Sequence, residues 1–273
     1  MITHVEITDI KDLPVRYAYK SAGIYNGRTF EFSEGVNILV GPNGSGKTAL
    51  LECMSQYLLC YNNECSHMFK DAIYAPTIFN DDNSIKQGMK LHHDFVTTCF
   101  RYMHNASSRG TLGSTARSLA HYSENTGRSA GESSISAMQC LFDTMFSIKD
   151  YAFPIKDVID TRDSPNTNDL WKGRLDNMLK YYKDNAFVKG ADKKDQIIRY
   201  TVLIDEPDRN LDVYGIDELY KMLYHQRDDT QLIVVIHNPM LIYKLYKAKD
   251  KCNINFIEMV PGYIDKILEI VSK

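Results

Sequence analysis

The residues Gly41-Pro42-Asn43-Gly44-Ser45-Gly46-Lys47-Thr48 have the types and spacing of a phosphate-binding loop, G-x-x-x-x-G-K-[ST]. Glycines let the backbone approach phosphate oxygens closely and point several N–H groups at them. A helix opening at Lys47 turns its positive end toward the same anion. Lys47 is then expected to reach the β- and γ-phosphates and Thr48 to coordinate Mg²⁺, with the loop residues from Gly41 to Gly46 binding the nucleotide. The bland alternative is a glycine-rich turn that binds nothing. The apolar run Val36–Val40 before the loop argues against it, as do Leu50, Leu51, Met54, Leu58 and Leu59, which recur at helical spacing after it.

A second constellation follows at Val202-Leu203-Ile204-Asp205-Glu206-Pro207, an apolar strand that exits into two carboxylates. Asp205 at the strand end is placed to hold Mg²⁺, and Glu206 to polarise an attacking water as general base. A buried strand with acidic residues at its exit is the alternative, and the phosphate loop outweighs it. Asn210-Leu211-Asp212 lies just beyond. His237 directly follows the apolar run Leu232–Ile236. At the carboxyl end of a strand it faces the crevice where α/β sheets bind ligands, and reads either as a third catalytic group or as a polar strand terminus. Ser129-Ala130-Gly131-Glu132-Ser133 opens a helical pattern, where Ser129 and Gly131 are candidates for phosphate contact and Ser129 or Ser133 for an N-cap.

These groups need a scaffold, and its pieces are legible. Val5 and Ile7 alternate with polar neighbours, as do Thr29 to Phe32, which predicts N-terminal strands. The run 36–40 is short and largely apolar, and 202–204 and 232–236 are continuously apolar, as strands covered on both faces by helices are. Residues 71–76 read as a further strand, Asp81–Ser84 as a turn, and Leu91–His104 as a helix. Residues 105–134 are rich in Ser, Thr, Gly, Asn and Arg and read as a polar loop. A helix is expected after Gly131, with Ile135, Met138, Leu141, Phe142 and Met145 on one face. Asp169–Asp184 is amphipathic, with Trp171, Leu175, Met178, Leu179 and Tyr182 on its apolar side. Ile254–Met259 and Ile264–Val271 flank Pro261-Gly262 and suggest a terminal hairpin.

The chain has 273 residues, 44% of them hydrophobic, which is enough for one large α/β domain, or for one domain carrying an inserted lobe. A formal net charge of −3 does not demand a nucleic acid or an anionic membrane. No apolar run approaches the ~20 residues of a membrane span, and the start lacks a signal-peptide layout, so a cytoplasmic protein is expected. The six cysteines are read as reduced. Cys60, Cys65 and His67 lie close together in sequence but fit no common zinc spacing.

The order phosphate loop, Ser-x-Gly-Glu, Asp-Glu-Pro, Asn-Leu-Asp and His resembles the ABC-type ATPases. Within them the chain is most similar to the SMC, RecF and RecN branch and its small bacterial predicted AAA-family ATPases. Ile38–Thr48 and Ile236-His237-Asn238-Pro239 carry that likeness. The resemblance implies a P-loop NTPase of α/β class with ABC/SMC-like head architecture, antiparallel N-terminal strands and an inserted helical lobe. The domain would span 1–273, with a helical signature lobe over 62–145 and an inserted subregion over 146–198. It implies ATP and Mg²⁺ as ligands, with Glu206, His237 and Lys47 catalytic and Thr48 and Asp205 on the metal. It also implies a head-to-tail homodimer over two ATPs, in which Ser129 and Gly131 of one copy meet the γ-phosphate held by the other and residues 210–212 line the seam.

The chain departs from that pattern in places. The interval from Ser129 to Asp205 is long, which implies the insertion at 146–198 or a signature elsewhere. Neither Thr77 nor Gln87 is an evident equivalent of the family's central glutamine. Tyr17, Tyr19, Tyr25 and Arg28 precede the phosphate loop, and each reads as an ordinary residue rather than an adenine contact. The partner expected is an effector encoded nearby or DNA. Arg101, Arg109, Arg117, Arg128, Lys172, Arg174, Lys180 and Lys183 are the basic residues available for phosphates, against the plainer reading of a solvated face. The alternative function is the ATP-binding subunit of a membrane transporter, and a further one is a non-catalytic nucleotide-gated scaffold, against which the Asp205-Glu206 pair speaks.

Overall fold

The apolar runs become the centre of a parallel sheet. In the computed structural model, which describes residues 1–58, 61–62, 78–93, 98–103, 162–185, 200–225 and 227–273, strands β3 (Val36–Val40), β7 (Tyr200–Asp205) and β8 (Thr230–Val235) are buried almost throughout. With β4 (Tyr61–Asn62), β6 (Thr98–Met103) and β9 (Ile254–Glu258) they form six strands in the order β4-β6-β7-β8-β3-β9. Every pairing in it is parallel.

Alternation along the strands separates two apolar layers. Leu39, Leu203, Ile233 and Val235 face one cluster. Val36, Ile38, Val40, Val202, Ile204, Leu232 and Val234 face the other. The second layer is closed by α3 (Val213–Tyr224), α4 (Pro239–Ala248) and α5 (Tyr263–Val271), through Ile216, Leu219, Leu223, Leu241, Ile242, Leu245, Ile264 and Ile267. The first layer is closed by α1 (Lys47–Tyr57), by α2 (Asp169–Asn185) and by an antiparallel sheet of β1 (Ile2–Ile7), β2 (Thr29–Glu31) and β5 (Met89–His93), in the order β2-β1-β5. The architecture is thus the expected α/β one, with antiparallel N-terminal strands.

One buried glutamine ties the two sheets. The Gln231 amide nitrogen donates to Ile2 O at 2.7 Å and Ser33 O at 2.9 Å. Its oxygen accepts from Ile2 N at 2.9 Å and from Thr201 Oγ1 at 3.2 Å. Helix α2 docks through Leu175 and Met178. Its foothold is the turn at 80–84, where Arg174 Nε donates to Asn83 Oδ1 at 2.7 Å and Asn177 Nδ2 to Asn83 O at 2.7 Å. Asn83 itself takes φ 64°, which asparagine tolerates better than most residues.

Two expected elements are corrected. The described parts of the helix expected over 91–104 are strands: Met89, Leu91 and His93 alternate inward as β5, antiparallel to β1, and 98–103 run as β6 between β4 and β7. The period of two, not the apolar content, is the signal that decides this. The C-terminal hairpin is likewise a strand followed by a helix. β9 lies parallel beside β3, and Glu258 caps α5 by accepting from Gly262 N at 2.6 Å and Ile264 N at 2.8 Å. The expected strand at 71–76, the loop at 105–134, the helix at 135–145 and most of 146–198 lie outside the described residues, as do Cys60, Cys65 and His67.

Candidate active site at the carboxyl edge of the parallel sheet

β3 delivers the chain into the phosphate loop, and the loop runs into α1 without a side-chain cap. Gly46 holds φ 99°, a conformation L side chains rarely adopt, so the sequence must place glycine immediately before Lys47. Lys47 is buried and its Nζ donates to Gly41 O at 2.7 Å and Pro42 O at 3.0 Å, arching back over the loop. Burial lowers its pKa, while Glu206, Asp205 and Asp208 act in the opposite sense. Ser45 Oγ is buried against the loop with no hydrogen-bond partner among the described residues.

β7 lies one strand away from β3, with β8 between them. That separation brings Asp205 to α1: Thr48 Oγ1 donates to Asp205 Oδ1 at 3.1 Å across 157 residues of sequence. A hydroxyl and a carboxylate oxygen side by side are the hard donors Mg²⁺ takes, so the residues present fit that ion. Past Asp205 the chain turns sharply, because Glu206 adopts φ 49°, an uncommon left-handed backbone for a side chain of its kind. Asn210 repeats this at φ 62°, and Asp212 Oδ1 caps α3 by accepting from Gly215 N at 2.8 Å.

β8 delivers His237 to the same edge, where its Nε2 lies 3.2 Å from Glu206 Oε1. Burial pushes the His237 pKa down, and Lys47 adds to the shift against the opposing pull of Glu206 and Asp208. The ring is therefore neutral at neutral pH, and the contact is an imidazole N–H donating to a carboxylate rather than an ion pair. Exposed Arg209 meets Glu206 from the other side at 3.4 Å.

The structure thus gathers the loop 41–48, Asp205, Glu206 and His237 at one edge. Ser129 and Gly131 lie outside the described residues. Arg174, counted among the basic residues available for phosphates, instead stacks at 5.1 Å from the Trp171 ring and 5.3 Å from Phe79 and bonds Asn83.

Three contributors escaped the sequence reading. Gly23 packs so closely on the phosphate loop that an added Cβ would lie 2.5 Å from Ser45 O and 2.7 Å from Met259 O. Arg28 donates to Gly23 O, Met259 O and Glu258 O at 2.6, 2.6 and 2.7 Å, stapling residues 23–28 and the end of β9 behind the loop. Buried Asp208 accepts from the backbone N–H of His237 and of Asn238. An acidic residue two places after Glu206 was the signal available for the last; its partners are far away in sequence.

The sequence matches the AAA domain family over residues 19–231, most of the chain and all of the site except His237. The chain belongs to the AAA domain family. Domains of this family are ATP-binding and generally ATPases, which agrees with the phosphate loop and the Asp205-Glu206 pair. Among solved structures this AAA domain is similar to the SMC head domain from Thermotoga maritima, at 14% identity over 89% of this chain and 91% of that one, with a TM-score of 0.33. No curated protein matches the sequence. Among the described residues no helix is long and apolar enough to cross a membrane, and no three or more His, Cys, Asp or Glu side chains gather as a ligand set of their own beside the Thr48-Asp205 pair.

Proposed function

We propose that the chain is an Mg²⁺-dependent ATPase that closes head-to-tail with a second copy over two ATPs and so controls a DNA-related or defence-type partner. The observation that carries the catalytic part is the 3.1 Å contact between Thr48 and Asp205, which joins the phosphate loop to the acidic strand end. Thr48 and Asp205 would hold Mg²⁺, which when bound neutralises phosphate charge. Lys47 exchanges its loop carbonyls for phosphate oxygens, a stronger charge-assisted partner. Glu206 takes the proton of the attacking water. His237 donates to the other side of that carboxylate and keeps it aimed at the nucleotide.

The dimer part rests on the order of motifs and on the exposure of the edge residues. Arg209, Asn210, Val213 and Tyr214 beside Glu206 are exposed, the last two at 82% each. Ser129 and Gly131 are the residues proposed to reach across. Small-angle scattering of Glu206→Gln with Mg-ATP tests this reading: a doubling of mass is expected, and a monomer at saturating ATP sinks it. Ser129→Arg should abolish turnover and regain part of it when mixed with a Lys47→Ala copy.

A further inference from the structure

The loop after β7 holds one carboxylate that the chemistry above does not use. Asp208 lies between the two left-handed residues Glu206 and Asn210 and is 7% exposed. Its Oδ2 accepts from His237 N at 2.8 Å and from Asn238 N at 2.5 Å. Asn238 in turn caps α4, its Oδ1 accepting from Met240 N at 3.0 Å and Leu241 N at 3.1 Å. A single oxygen therefore joins the turn that carries Glu206 to the strand end that carries His237. The other oxygen, Oδ1, is buried with no hydrogen-bond partner among the described residues.

Burying a carboxylate charge opposes folding unless it is compensated, so packing alone is a poor reason for an acid at this position. Its charge is partly offset by the two N–H donors at the start of α4 and by Lys47, on which it acts electrostatically. What the arrangement does supply is geometry. The backbone of His237 is held at both ends of the reach, by β8 before it and by Asp208 on its own N–H. The ring can then meet Glu206 at 3.2 Å only while the turn and the strand end stay in register. We propose that Asp208 is a positioning residue that holds His237 against Glu206 for hydrolysis; this rests on the ATPase reading above.

The test is Mg-ATP turnover and fluorescent-ATP affinity for wild type, Asp208→Ala, Asp208→Asn, His237→Ala and the Asp208→Ala/His237→Ala pair. Asp208→Ala should lower kcat by about 10- to 100-fold, as loss of an orienting partner does, with nucleotide affinity within about threefold. Asp208→Asn keeps an acceptor oxygen and should stay within about fivefold of wild type. The double variant should turn over no more slowly than His237→Ala alone, because Asp208 acts through that ring. Additive losses, or an Asp208→Ala variant as fast as wild type, overturn the inference. If Asp208→Ala does not fold, Asp208→Glu, which keeps the charge and displaces the oxygen, carries the same cycle. A fold that tolerates neither overturns the assignment of geometry over stability. Wild type without Mg-ATP turnover would instead remove the ATPase reading itself.

Discussion

Glu206 and His237 meet at 3.2 Å with Lys47 close by, and each has a separable consequence. Glu206→Gln should bind ATP like wild type and lose kcat by about 10²- to 10⁴-fold, the range for removing a general base; rapid-quench turnover beside fluorescent-nucleotide binding reads both. Lys47→Ala should instead lose binding. His237 makes a prediction about stability. Its folded pKa is lowered from 6.5, so the folded state takes up its proton later than the unfolded chain does. Below about 6.5 the unfolded state binds more protons, and stability falls as pH drops through that window to the folded value. Melting temperature between pH 7.5 and 5 should therefore fall more steeply in wild type than in His237→Asn. Parallel slopes would show that folding does not lower the pKa of this ring.

At the scale of elements, the phosphate loop is shaped from behind as much as from its own sequence. Gly23 N donates to Ser45 O at 3.0 Å, and Arg28 holds the same segment to the end of β9. Gly23→Ala should press on both carbonyls, costing about 1–3 kcal/mol, and weaken nucleotide binding although no contact with nucleotide is removed. Calorimetric melting and titration of ATP check the two effects together; normal affinity would mean that the loop does not feel this segment. Helix α2 is attached by its apolar face, and Leu175 is fully buried. Leu175→Ala should destabilise by about 2–5 kcal/mol in urea denaturation without altering ATP affinity.

Across the whole molecule, two sheets and two apolar layers meet at a few buried polar groups. Gln231 is the clearest, bonding β1, the segment before β3, and β7 from one side chain. Gln231→Leu would take the Ile2 N–H's side-chain acceptor and the donor to Ile2 O, while Ser33 O keeps the Asn37 amide, at about 1–3 kcal/mol for each group left unsatisfied. A smaller loss in equilibrium unfolding would mean that water or rearrangement replaces those bonds. Such a variant should lower stability and still bind ATP once folded, because the parallel sheet's carboxyl edge lies at the opposite end of the same strands.

The sequence by itself located the phosphate-loop pattern after β3 and the acidic exit of β7, because both are local patterns. Glycines, a Lys and a Thr must sit at set spacings for backbone and side chains to converge on phosphate. The apolar runs 36–40, 202–204 and 232–236 likewise announced buried strands, which the structure extends to 200–205 and places at 230–235, since strands covered on both faces lose their polar alternation. Where local pattern and pairing compete, pairing wins: 91–104 reads as a helix, and 254–259 with 264–271 as a hairpin around Pro261-Gly262. Pairing to β1, β7 and β3 decided both. Only the tertiary structure placed Gly23 and Arg28 behind the loop and Asp208 on the His237 backbone. A carboxylate, a guanidinium and a glycine carry no sign in one dimension of the distant carbonyls and amides they will meet.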